Sequence, residues 1–186
     1  MRIITGSARG SRLKVPAGKG TRPTADRTRE ALFSILGERV YDVCVLDLFA
    51  GTGALSLEAL SRGARHAVLI DHATYPVMLD NAHRTKLCAK TDIRRGDVFV
   101  HMGVFAREGR SFDLIFADPP YGQGLEERVL QSVETGRILT AHGLLIIEQA
   151  ARVVPIQRIG SLVLLRERCY GAARICFYEW QEVQDG

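Results

Sequence analysis

Long apolar runs are missing from this sequence. No uninterrupted Leu/Ile/Val stretch exceeds four residues, as in Leu144-Leu145-Ile146-Ile147, far short of the ~20 residues a membrane helix needs. The first residues, Met1-Arg2-Ile3-Ile4-Thr5-Gly6, lack the apolar core of a secretory signal. Cysteine is scarce: Cys44, Cys88, Cys169 and Cys176 form no C-x-x-C pair and no His/Cys spacing suited to zinc. The expectation is four reduced thiols and no metal. Internal repeats and low-complexity segments are absent as well. With 186 residues, 46% hydrophobic and 25% charged, the chain has apolar content for one real core and too little net charge for disorder. The reading is a soluble, cytoplasmic protein with no membrane association.

Net charge is small, at +4, but unevenly placed. Residues 1–40 carry nine basic side chains (Arg2, Arg9, Arg12, Lys14, Lys19, Arg22, Arg27, Arg29, Arg39) against three acids (Asp26, Glu30, Glu38). That is +6, which leaves 16 basic and 18 acidic residues, or −2, for the remainder. A basic arm on a slightly acidic body suggests contact with a polyanion, because Lys and Arg that neutralise phosphates release counterions.

The arm reads as a β-hairpin (2–5 and 12–15 around Gly6 to Ser11, a flexible basic tip), a loop from Pro16 to Pro23, and a helix. Thr24 is the expected N-cap, Ala31, Leu32, Ile35 and Leu36 the apolar face, and Gly37 the stop. From residue 43 the pattern changes to strands alternating with helices. Strands are expected at 43–48, 67–70, 92–95, 112–117 and 144–148, with helices to Arg62 and over 74–87, 98–107 and 125–135. Residues 161–168 and 174–180, joined around Gly171, read as an antiparallel hairpin. This is an α/β fold with a mostly parallel seven-stranded sheet, whose ligands sit at the C-terminal strand ends. It divides into a 1–40 extension and a 41–186 domain.

Asp47-Leu48-Phe49-Ala50-Gly51-Thr52-Gly53 sets two glycines between a strand and a helix, where backbone can approach a ligand and free N–H groups wait. The dinucleotide fingerprint nearly fits, with Asp71 20 residues after Gly51, but Ser56 stands where Gly or Ala is needed for close helix–strand packing. Asp47 lies outside that fingerprint; its carboxylate either holds the glycine-turn amides or faces a cationic ligand. Asp47, Asp71 and Asp97 would end three adjacent strands, where acids can accept from ribose hydroxyls and an adenine amine. After the fourth strand, Asp118-Pro119-Pro120-Tyr121 combines a carboxylate, two rigid prolines and a ring. The Asp118 carboxylate and the Pro119 carbonyl could accept both hydrogens of a planar amine. Tyr121 could stack on the base that bears it, worth ~1–3 kcal/mol at comparable sites.

These residues resemble the S-adenosylmethionine-dependent amino-methyltransferases, a Rossmann-like class I fold, whose Asp/Asn/Ser-Pro-Pro-aromatic motif matches 118–121 and whose cofactor turn matches 47–53. The run Thr21-Arg22-Pro23-Thr24-Ala25-Asp26-Arg27-Thr28-Arg29-Glu30-Ala31-Leu32-Phe33, following a basic hairpin with Arg9-Gly10, is similar to the start of the RsmD family of bacterial 16S rRNA guanine-N2 methyltransferases. The resemblance extends from Arg2 to about Trp180. It implies S-adenosylmethionine contacts at Asp47, Phe49, Gly51 and Gly53, with Asp71 on the ribose and Asp97 near the adenine. It implies that Asp118, Pro119 and Tyr121 receive the base and that Arg9, Arg12, Arg22, Thr24, Arg27 and Arg29 face RNA. The implied partner is 16S rRNA, in the 30S subunit or an assembly intermediate, with no obligate protein partner. His72-Ala73-Thr74 after Asp71 and Ala25 in the arm depart from the family pattern. Three other readings compete. A DNA amino-methyltransferase shares the motif, yet only about 40 residues precede the first sheet strand, too few for a target-recognition domain. An NAD-dependent oxidoreductase is disfavoured by Ser56 and by 118–121. A non-catalytic RNA-binding factor would keep the fold and lose the transfer.

Overall fold

The computed structural model describes residues 1–16 and 23–181. Contacts divide the chain into two compact units, Met1–Val98 and Phe99–Gly186. The division expected at residue 40 falls inside the first of them.

In the first unit the N-terminal hairpin forms as expected. Arg2 pairs antiparallel with Arg12, and Ile3 bonds the facing strand through both backbone groups, its N donating to Ser11 O and its O accepting from Gly10 N. Helix α1 spans Pro23–Leu36 and buries Leu32, Phe33 and Leu36, one face at helical spacing. The helix starts at Pro23, so Thr24 lies within it and is not its N-cap; proline suits a first helical turn, where no N–H is needed. The α-helix ends at Leu36, and Gly37 follows it at φ +52 as expected for the stop, opening a short 3-10 turn, Gly37–Val40.

Strand β1 (Cys44–Leu48), helix α2 (Ala54–Ser61), strand β2 (His66–Asp71), helix α3 (Tyr75–Arg84) and strand β3 (Thr91–Arg95) follow. The strands run parallel in the order β3-β2-β1. Val45, Leu46, Leu48 and Ala67 to Ile70 are fully buried, which is why β2 reads as an apolar run and β1 as one broken only by Asp47. Strand β3 is only half-buried along its length, so its sequence signal is weak.

The second unit holds helices α4 (Val98–Arg107) and α5 (Leu125–Gly136) and strands β4 (Phe112–Ala117), β5 (Leu139–Ala150), β6 (Arg158–Ile159), β7 (Leu162–Tyr170) and β8 (Ala173–Trp180). The order is β4-β5-β8-β7-β6. Strands β4 and β5 are parallel, and the β7–β8 hairpin is antiparallel to itself and to β5. Among the described residues, five of the eight strands therefore lie in parallel pairings, and the C-terminal hairpin is as expected. Two differences have plain causes. The eighth strand, β6, is two residues long, too short to show a period. Strand β5 begins at Leu139, where Leu139 pairs with Phe112 before a register shift; exposed Ala141 and His142 hide that start in the sequence. Among the described residues, no helix is long and apolar enough to cross a membrane.

Candidate active site

The turn after β1 is built for close approach. Phe49, Gly51 and Gly53 all take positive φ, at 61°, 57° and 76°, and Gly53 N closes the turn on Ala50 O at 2.7 Å. At Gly53 the φ of +76 favours glycine, and a Cβ there would sit 2.8 Å from Leu69 Cδ2, which would have to shift. At Gly51 an added Cβ would meet nothing nearer than Phe49 O, at 3.9 Å: the turn presents open space there. The Asn81 amide, fully buried on α3, donates to Thr52 O at 2.9 Å and fixes the turn from behind.

The acids hold this cradle in different ways. Asp71, ending β2, accepts from Gly51 N at 3.0 Å and from Ala73 N and Thr74 N at 2.7 and 2.9 Å. Burial alone would raise its pKa, but these backbone donors outweigh burial and hold the carboxyl below the usual range. Asp47 is 2% exposed and accepts from Ser56 N and Ser56 Oγ in the first turn of α2, at 3.3 and 2.9 Å. Of the two roles open to it, anchoring backbone is the one seen, with the bond going to Ser56 and not to a glycine amide. Ser56, which breaks the dinucleotide fingerprint, is thus the partner of Asp47. Burial pushes the Asp47 carboxyl up to about 7, and the Ser56 bonds only partly counter it.

The Asp47 shift has a stability consequence. The folded chain keeps a proton here that the unfolded chain has already lost, so stability falls as pH rises from about 4 to about 7. Over that window the loss attributable to Asp47 is at most on the order of 4 kcal/mol. Asp47→Asn is expected to flatten the window, read from urea midpoints at pH 5 and pH 8; an unchanged pH slope would contradict the assignment.

The three acids do not end level. Asp47 pairs with Leu69, two residues before Asp71, and Asp71 pairs with Arg95, two residues before Asp97. With a strand period of two, Asp47 and Asp71 share one face, stepped along the strand ends. Asp97 is exposed, between β3 and α4.

In the second unit, Asp118 follows the last residue of β4 and is exposed, while Pro119 is buried. Tyr121 is 44% exposed, and its hydroxyl donates to Glu148 Oε1 at 2.9 Å. Burial raises the Glu148 carboxyl above its ordinary value, with the Tyr121 bond drawing it part of the way back. Glu148 was not picked out from the sequence, although it follows the run Leu144 to Ile147 just as Asp118 follows β4. Elsewhere in this unit an apolar cavity of about 380 Å³ is lined by Phe99, Met102, Ala106, Ser132 and Thr135 among others; no expected site residue lines it.

The basic arm is anchored to α2 and α3 at its described residues. Glu58, fully buried on α2, accepts from Ile4 N and Thr5 N at 2.7 and 3.1 Å and pairs with Arg62 at 2.8 Å. Ser61 Oγ accepts from Ala8 N and donates to Thr5 O. Asn81 grips the other hairpin strand, bonding both Lys14 N and Lys14 O. Sequence reasoning missed Glu58, Ser61 and Asn81; the only signal was polar residues on otherwise apolar helix faces. Arg9, Arg12 and Arg27 are exposed. Arg29 is a correction: at 4% exposure, it donates to Arg2 O and pairs with Asp26, and burial lowers its pKa. Its charge therefore serves the interior and cannot face a phosphate. Arg22 and the Thr24 side chain lie outside the described residues.

A family model described as conserved hypothetical protein 95 matches residues 1–179. Ribosomal RNA small subunit methyltransferase D of Escherichia coli K12 is 38% identical over 150 residues, covering 80% of this chain and 74% of that one. The protein of the same name from Haemophilus influenzae Rd is 29% identical over 184 residues, covering 96% and 93%. The solved structure of yhhF from Escherichia coli superposes with a TM-score of 0.84 at 34% identity, covering 97% of this chain and 99% of that chain. With a match over nearly its whole length, the chain belongs to the conserved hypothetical protein 95 family, the RsmD family of methyltransferases.

Proposed function

We propose that this chain methylates the exocyclic N2 amine of a guanine in 16S rRNA, in the cytoplasm, on the 30S subunit or an assembly intermediate, with S-adenosylmethionine as donor. The observation that carries the reading is Asp118-Pro119-Pro120-Tyr121 standing directly at the end of β4 in a chain of this family. The small-subunit rRNA named for the Escherichia coli relative supports the substrate class.

The residues present fit the donor. The open face at Gly51 leaves room for a ligand, and the turn that forms it is braced by Asp71 and Asn81. In this reading Phe49, Gly51 and Gly53 cradle the donor, Asp71 keeps acceptor capacity for ribose hydroxyls, and Asp97 lies near the adenine. When bound, the donor supplies an electrophilic sulfonium methyl. Asp118 and the Pro119 carbonyl accept the two amine hydrogens, which draws the nitrogen lone pair out of the ring and fixes its direction. Placement of this kind is worth ~7–11 kcal/mol in favourable cases. The proton leaves only after transfer, when the amine has become acidic, so Asp118 need not act as a base beforehand. Tyr121 stacks on the base, which must first leave its own stack; a loop nucleotide does so more cheaply than a paired one. Arg9, Arg12 and Arg27 meet phosphates, with Arg22 and Thr24 carried from the family resemblance.

Thermal-shift titration separates this reading from the oxidoreductase one. S-adenosylmethionine at 100 times its Kd should add about 2.7 kcal/mol of stability, and NAD should add none. A shift with NAD alone would overturn the proposal.

A further inference from the structure

We infer that Glu148 is the residue that selects guanine, accepting the N1–H of the target base beside Asp118. The inference rests on the guanine-N2 reading and deepens it.

Strands β4 and β5 are parallel, and their pairing ends with Ala117 opposite Ile147. The next residues, Asp118 just past the end of β4 and Glu148 within β5, therefore stand level on neighbouring chain segments. With a strand period of two they fall on the same face. The Tyr121 hydroxyl donates to Glu148 Oε1 at 2.9 Å, which ties this carboxylate to the motif that receives the base. Ile147 and Gln149 on either side are buried, and Glu148 itself pairs with Ile175 in β8, so its backbone has no freedom to swing away.

The chemistry of the base decides what such a carboxylate reads. Guanine presents three hydrogens on one edge, one on N1 and two on N2. Adenine and cytosine carry a lone pair at the ring nitrogen beside their amine. Asp118 and the Pro119 carbonyl account for the two amine hydrogens and would serve any exocyclic amine, so they do not tell guanine from adenine. An ionised carboxylate accepts only. Glu148 thus accepts from guanine N1–H and repels a ring lone pair in the same place. A site built around a substrate N–H discriminates strongly against an analogue that lacks it, because its own buried polar group is left unpaired.

The test compares a substrate RNA carrying guanine at the target position with the same RNA carrying 2-aminopurine. That base keeps the amine on C2 but has a lone pair at N1. Wild-type protein is expected to favour guanine by about 100-fold or more in kcat/KM. In Glu148→Gln the amide can donate to the N1 lone pair, so the preference should fall by at least about 10-fold. Tyr121→Phe, which keeps the ring and removes the donor to Glu148, should lower the preference by a smaller factor and guards against a misfolded first variant. Because the readout is a ratio within one protein preparation, general loss of activity does not move it. An unchanged ratio in both variants overturns the role of Glu148 while leaving the guanine-N2 reading intact. Failure of wild type to methylate the guanine RNA overturns that reading and this one with it.

Discussion

Replacing Asp118 with alanine is expected to lower methyl transfer by on the order of 10²–10³, the cost of removing one group aimed at charge that develops in the transition state. Asp118 is exposed at the end of β4, so its loss leaves no cavity and the melting temperature should move little. The cofactor turn is braced by other groups, Asp71 and Asn81, neither of them on β4. The thermal shift produced by S-adenosylmethionine should therefore survive, and RNA affinity should fall only slightly. This combination separates an enzyme from a non-catalytic binder of the same fold. Equal transfer by wild type and Asp118→Ala would remove Asp118 from the reaction.

Gly6→Ala is expected to detach the basic hairpin from α2. A Cβ at Gly6 would lie 1.8 Å from Ser61 O, a backbone atom that cannot move without distorting the end of the helix. The φ of +86 adds about 1–2 kcal/mol of strain for a residue with a side chain. Separation would also break Ser7 N to Ser61 O, Ala8 N to Ser61 Oγ and Ser61 Oγ to Thr5 O, each worth about 1 kcal/mol. The loss, about 4–5 kcal/mol together, is local. Amide exchange at Ile3, Ser7, Ala8 and Gly10 should accelerate, and RNA affinity should drop with it. Gly10→Ala is the control, since it has a similar φ of +83 but its Cβ meets nothing within 4 Å. Equal exchange in the two variants would show that the Ser61 contact does not hold the arm.

Much of the fold was legible because burial and period agree. Strand β4 and helix α4 fall at the residues read from the pattern, and β1 and β2 within a residue or two, since each is an apolar run or an amphipathic repeat ended by glycine, proline or an acid. The glycine turn and the residues at 118–121 were equally legible, because few functions need those residue types in that order. What escaped was long-range pairing. Nothing near Arg29 in sequence announces that its guanidinium will reach Arg2, 27 residues away. Glu58 and Asn81 read as ordinary helix residues until the hairpin folds onto them, and their partners are 54 and 67 residues distant. Glu148 escaped for the same reason, as its tie to Tyr121 depends on β4 and β5 lying side by side.

The central claim is that a guanine of 16S rRNA receives the methyl group on N2. Its most direct test uses labelled S-adenosylmethionine and 16S rRNA or 30S particles from a strain lacking this gene, with the product base located by mass spectrometry. The account predicts N2-methylguanosine at one position, formed by wild-type protein and reduced on the order of 10²–10³ with Asp118→Ala. Label on another base or another atom, or no label in either RNA form, would contradict it.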